Sequence, residues 1–353
     1  MNDFRRRARN ALLGLAMGDA IGWPSMFHRG RLLPPWTRRI RREMDAERED
    51  SGVLRVPMPF SLNGRADFFD LIPTDDTEWA SWTMLNLLNH GCVIEQAWIT
   101  DAWLGLAQGK ERILGWVSTV TALGNLRRGM MPPQCGSDNP HYFDDGALCR
   151  AVPIGIAYAG RPAEASRAAA IDACATNSED GIWVARSLAA AVSAACAGET
   201  VGAVLDAALD PLPEGSWSRR SVLEALRICR EDATVIALMP ALHGLLNREY
   251  SDGCVGPETL ALALGIVSKI GDRFAEAVTV AAAFAKGADA VPAVVGAVAG
   301  AMASGSPVPR EWERTLGSLK GICLPSLAGK DYCRLIDEFV AACPVPRSLE
   351  GKA

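Results

Sequence analysis

The sequence predicts an all-α protein folded as one compact domain. Three observations carry this. Apolar residues recur at helical spacing along almost the whole chain. Strand-like alternation is almost absent. The 353 residues are 49% hydrophobic, ample for a large core, and no Ser/Pro-rich linker divides them. One domain is therefore expected over residues 1–345, followed by a tail at 346–353.

The elements follow in order. Periodicity predicts helices over Phe4–Gly18, Asp76–His90, Ile94–Gly109, Ile113–Gly124, Ala147–Ala159, Pro162–Ala175 and Glu179–Gly198. It continues over Val201–Ala208, Ser218–Glu231, Pro257–Ser268, Arg273–Lys286, Ala290–Ser304, Pro309–Leu319 and Asp331–Ala342. Gly, Pro or Asn marks the breaks between them. No fixed-period repeat is present, which argues against a solenoid. Gly14, Gly18 and Gly22 recur every fourth residue. With no strand before them they predict close helix packing rather than a phosphate loop.

Three polar islands interrupt the helices. Residues 31–73 form a long loop, rich in Pro and Phe, of a length often found in lids. Met130–Ala147 carries Asp138, His141, Asp144 and Asp145, and Ala175–Ile182 reads "ATNSEDGI". The first island runs into "LIPTDDTEWA", Leu71–Ala80. Thr or Asp followed by Glu before an apolar run is an N-terminal capping pattern. Acids there also suit the positive end of the helix dipole. Yet Thr74, Asp75 and Asp76 form an oxygen cluster whose carboxylates repel unless a cation holds them. A cap and half of a metal site are both open, and they are compatible.

Charge narrows the partners. Net charge is −5 and pI about 5.5, which gives no global signal for nucleic acid. The basic run Arg38–Asp50 alternates in sign and reads as a solvated segment. The ten cysteines are scattered without a CxxC pair, as buried free thiols are, and this predicts a reducing cytoplasm. The basic-then-apolar start breaks at Asp19, and a core helix is expected there rather than a signal peptide. The Ala/Gly-rich stretch Ala290–Gly305 is too short to span a membrane, so no membrane association is expected.

Five segments together have a familiar order: "ALLGLAMGDAIGWP" from Ala11, "TDDTEWA" from Thr74, "DDGALCRAVPIG" from Asp144, "ATNSEDG" from Ala175 and "KGADAVPAVVGAVAGAMASGSPVPREW" from Lys286. In this combination the chain resembles the ADP-ribosylglycohydrolase family, over roughly Arg5–Leu316. The resemblance implies a single orthogonal helical domain with a central metal cleft. It implies Mg²⁺ or Mn²⁺ held between the TDD segment and a late GDTDT segment. The activity it implies is hydrolysis of a glycosidic bond at C1 of an ADP-ribose unit. Hard divalent cations take oxygen ligands, and carboxylates then serve a water nucleophile or an oxocarbenium-like charge.

Carried over by residue, the resemblance implies Thr74, Asp75, Asp76 and Asp289 as ligands of one ion. Asp76, Asp144 or Asp145 would act as general base. Asp19, Gly146, Asn177 and Glu179 would lie on the substrate side. The chain departs from the family at Gly287 and Ala290, where an aspartate and a threonine of GDTDT would stand, and at Met26 and Asn177. A second ion thus loses most of its shell, while Asp144, Asp145, Glu179 and Asp180 are acids the pattern does not require. The expected ligand is an ADP-ribose-like or ribosyl small molecule or an ADP-ribosylated protein. The alternative is an inactive relative that binds ADP-ribose or a partner, as a regulatory or immunity protein would. Convergence of Asp144, Asp145 and Glu179 on Asp75 and Asp76 favours the enzyme; outward-facing caps favour the binder.

Each of these residues also has a plainer role. Asp19 would be a buried carboxylate taking backbone amides, Asp144 and Asp145 would cap the next helix, and Asn177–Glu179 would cap another. Arg150 would be an ion-pair partner. The four histidines lack metal spacing. Trp23, Trp36 and Trp79 would either stack on a ring of the ligand or fill the core.

Overall fold

A computed structural model describes residues 3–31, 72–247, 249–250, 253–284, 286–346 and 349, with the side chains of 23–31 left undescribed. Among these residues there are sixteen α-helices, two more than the fourteen that periodicity predicts, and no strand. The expected loop over 31–73 lies almost wholly outside the described residues, as does most of the 346–353 tail. No helix among the described residues is long and apolar enough to cross a membrane.

The frame starts with α1, Asp3–Arg31, which runs on past the Gly18 end that periodicity suggests. Helices α2 (Asp75–Asn89), α3 (Gln96–Gln108), α4 (Val117–Arg127) and the short α5 (Gln134–Ser137) follow. Next come α6 (Leu148–Ala157), α7 (Pro162–Ala173), α8 (Asp180–Cys196), α9 (Val201–Leu209) and α10 (Trp217–Cys229). The chain closes with α11 (Val235–His243), α12 (Gly256–Ile270), α13 (Phe274–Ala282), α14 (Val291–Met302), α15 (Arg310–Leu316) and α16 (Tyr332–Ala342).

Besides the longer α1 and the unpredicted short α5, two further elements differ from expectation. Helix α11 is absent from the predicted elements because Pro240 sits inside its nine residues and reads as a break. Thr234 starts it by accepting the Ala237 amide. Helix α13 ends at Ala282, four residues before the predicted Lys286.

Helices α1 and α14 meet backbone to backbone, as the glycine spacing predicts. A Cβ on Gly14 would lie 2.0 Å from the Gly296 carbonyl oxygen, one on Gly18 2.0 Å from that of Pro292, and one on Gly22 2.1 Å from that of Ala288. This contact brings Asp19, midway along α1, to the same end as Asp289, just before α14. Every residue of α6 is buried, and so is nearly all of α12. Trp79 and Trp103 stack at 5.4 Å between centroids, with Trp82 edge-on, and the Arg150 guanidinium lies 4.9 Å above Trp103.

Several helix starts draw their caps from distant acids. The first amides of a helix have no partner of their own and need an acceptor. Asp19 supplies one to α2, Asp144 to α4 and Asp180 to α10. Glu78 accepts the amides of Ile322, Cys323 and Leu324 at 2.7–3.0 Å, which fastens that loop to α2.

Candidate active site

The start of α2 gathers the chemistry. Oxygens of Asp19, Asp75 and Asp76 lie within 4.8 Å of one another. Asp19 accepts the amide of Thr74 at 2.7 Å and that of Thr77 at 3.0 Å, and both threonine hydroxyls reach it as well. Burial nevertheless outweighs these donors and, with the nearby Asp75 charge, pushes the Asp19 carboxyl up to about 7. Thr74 Oγ1 also lies 3.1 Å from an Asp75 oxygen. So much of the capping of α2 comes from α1, Asp75 takes the amides of its own residue and of Asp76, and the Asp76 side chain is left for other work.

Asp76 is only 3% exposed, and its carboxyl has no hydrogen-bond partner among the described residues. Burial raises it well above the usual carboxylate range, and the charges of Asp75, Asp19, Asp289 and Asp145 add to that. Asp289 is raised in the same way, first by burial and then by Asp75 and Asp145. Its Oδ2 lies 3.6 Å from the Cys254 sulfur. Burial raises Asp75 too. Four elements thus converge: α1 brings Asp19, α2 Asp75 and Asp76, the turn before α6 Asp145, and the turn before α14 Asp289.

A buried carboxyl without a donor, surrounded by four others, is costly as an anion. A divalent cation would relieve that repulsion, and carboxylate and hydroxyl oxygens are the donors Mg²⁺ or Mn²⁺ take. The residues present fit such an ion.

The remaining candidates divide. Asp145 Oδ2 accepts the Thr259 hydroxyl at 2.7 Å, and its charge is felt at Asp76 and Asp289. Asp144, its neighbour, faces other donors: the Ser118 amide at 3.0 Å, the Ser118 hydroxyl at 2.7 Å, the Gly146 amide at 3.2 Å and Asn177 Nδ2 at 3.0 Å. It caps α4, not the next helix in sequence. Asn177 is fully buried and also holds the carbonyls of Tyr142 and Asp144. Gly146 lies against the Trp116 indole, 2.8 Å from where its Cβ would be. Glu179 is exposed at the start of α8, with a left-handed φ of 45°. Asp180 accepts the Ser218 amide at 2.9 Å.

Arg150 is fully buried and committed: to Asp172 at 2.8 Å, the Gly146 carbonyl at 3.0 Å and Thr176 at 2.8 Å. Trp79 is a core residue, while the Trp23 and Trp36 side chains lie outside the described residues. Beside the Asp144–Asp145 turn sits a half-buried aromatic group. Phe143 contacts Tyr250 at 6.0 Å and Trp217 at 5.9 Å, and His141 Nε2 is 2.8 Å from the Tyr250 hydroxyl. Sequence reasoning did not single out Thr77, Thr259 or Cys254. Nothing in their local sequence announces partners 58, 114 and 35 residues away.

The fold and site together define an all-helical frame, among the described residues, with a buried carboxylate cluster at its helix ends. The sequence model of the ADP-ribosylglycohydrolase family matches residues 1–347, and the chain belongs to that family. A solved structure titled "ADP-ribosylglycohydrolase-related protein complex" shares the fold, with a TM-score of 0.61 and 22% identity over 97% of this chain and 99% of that one. No curated protein matches the chain.

Proposed function

We propose that this protein is a divalent-metal-dependent hydrolase that cleaves the bond between C1 of a ribose and its leaving group in an ADP-ribosyl or simpler ribosyl compound. The observation that carries this is Asp76, buried without a donor among the carboxyls of Asp75, Asp145 and Asp289. Thr74, Asp75, Asp76 and Asp289 would hold one Mg²⁺ or Mn²⁺. Bound there, the ion neutralises the carboxylates and supplies a fixed point for ribose hydroxyls. Asp19 holds Thr74 and the start of α2 in place.

Asp145 is the proposed general base, because one oxygen is steadied by Thr259 and its charge reaches the cluster. It takes a proton from the water that attacks C1, while the bond from C1 to the leaving group breaks and its electron pair departs with that group. Asp76 is the alternative base wherever it is not bound to the ion. The aromatic group around Phe143 and Tyr250 would receive a ring of the ligand, since such faces stack on planar rings. Asp144, with both oxygens engaged, serves to position the Asp145 turn, and Asn177 and Gly146 support it there.

The test is Asp75→Asn with Asp76→Asn. Calorimetry should lose Mg²⁺ and Mn²⁺ binding, and turnover of ribosyl substrates should fall at least about 10²-fold with the helical circular dichroism unchanged. Full turnover in that variant refutes the proposal. A second reading, an inactive binder, draws on Asp144 and Asp180: two of the four unexpected acids are helix caps. It predicts that ADP-ribose binds without metal and that no ribosyl compound is hydrolysed.

A further inference from the structure

Cys92 and Cys343 are 251 residues apart in sequence, yet their sulfurs lie 4.0 Å apart. Cys92 follows the C-terminus of α2. Its amide reaches back to the Leu87 carbonyl at 2.8 Å, and the preceding Gly91 is left-handed with φ 64°, as a helix stop of this kind requires. Cys92 itself has φ 59°, a conformation side chains rarely adopt. Cys343 caps the end of α16. The two residues are 3% and 5% exposed, but Gly91 and Val93 on one side and Ala342 and Pro344 on the other are exposed. The pair is therefore one layer below the surface, at a turn and a helix end, where local opening costs least.

We propose that Cys92 and Cys343 form a reversible disulfide that clasps the end of α2 to the end of α16. A disulfide needs sulfurs about 2.05 Å apart, so from 4.0 Å each sulfur has to move by only about 1 Å. Cys343 donates its thiol hydrogen to the Cys92 sulfur, and this contact lowers the Cys92 thiol, which becomes the attacking group. As a thiolate, Cys92 attacks one sulfur of a small disulfide such as glutathione disulfide. The glutathione S–S bond breaks and one glutathione leaves. The Cys343 thiolate then attacks the Cys92 sulfur of the mixed disulfide, and the second glutathione leaves. Two protein thiols are oxidised, one small disulfide is reduced to two thiols, and the protein's two protons end on them. Cys196, fully buried and near enough for its charge to be felt at Cys343, is the internal control.

The experiment equilibrates the folded full-length chain in glutathione buffers of graded poise, quenches by alkylation and maps the peptides. The expected product is a single cross-link between the peptides of Cys92 and Cys343, with the other cysteines alkylated. The melting temperature should rise by at least about 2 °C and return on reduction. Cys343→Ser should instead trap a glutathione adduct on Cys92. Full alkylation of both residues in the wild-type chain, a Cys92 adduct without the cross-link, or cross-links spread over other pairs would each overturn the proposal. The wild-type map stands whether or not the variant folds.

Discussion

Asp19 and Asp144 are both buried aspartates, and both serve mainly as remote caps. Each collects amide and hydroxyl donors from a helix start that has no acceptor of its own. Asp76 has the same side chain in a site without donors, and there the carboxyl becomes a candidate ligand. Surroundings, not residue type, separate the roles. Replacing Asp19 by Ala leaves the buried amides of Thr74 and Thr77 without an acceptor. An expected loss of about 2–4 kcal/mol in urea unfolding follows, together with weaker Mg²⁺ binding, since Thr74 and Asp75 lose their anchor. A variant as stable as wild type would mean that Asp19 does not cap α2. Sequence alone suggested a backbone-binding role for Asp19, because a lone acid in an apolar helix has to be satisfied. It did not separate Asp144 from Asp145, since the deciding donors, Ser118 and Thr259, stand 26 and 114 residues away.

At the scale of elements, the approach of α1 and α14 sets the spacing of the site. Gly18 faces the Pro292 carbonyl one residue before Asp19. A methyl group there has no room, so Gly18→Ala should cost about 1–3 kcal/mol or more and should weaken metal binding by moving Asp19 away from Asp289. Gly124, inside α4, has nothing within 4 Å of an added Cβ. Gly124→Ala should therefore stabilise by about 0.5–1 kcal/mol, and denaturant midpoints read both changes. Opposite signs from one substitution type test whether packing, rather than helix propensity, holds α1 in place. The glycine repeat made this contact legible from sequence. Helix α11 was not legible, because Pro240 masks a helix that tertiary packing sustains.

For the whole molecule, the raised carboxyls set a dependence on pH. Asp19 titrates near 3.8 when unfolded and near 7 in the fold, so the folded chain holds its proton more tightly. That contribution is fully present below about pH 3.8 and is lost as pH rises through about 7. Asp75, Asp76 and Asp289 are shifted in the same direction. Chelator-stripped protein should thus lose stability from this cluster as pH rises from about 4 to about 7. Added Mg²⁺ should restore it, and more so at the higher pH, because ion and protons compete for the same oxygens. Melting temperatures measured with and without Mg²⁺ across that range provide the check. Parallel curves would mean the cluster binds no ion.

The sequence by itself determined the helical class, most helix positions, the glycine seam and the segments where acids gather, because these depend on spacing within one stretch of chain. The family resemblance in its motifs is likewise local, and the match over residues 1–347 agrees with it. Only the tertiary structure decided which acids face each other and which are held by amides. It set Asp145 toward Asp76 and Asp289, turned Asp144 and Asp180 into caps, and laid Cys92 against Cys343. Those outcomes depend on donors and neighbours brought in from tens to hundreds of residues away, and nothing in the local spacing encodes them.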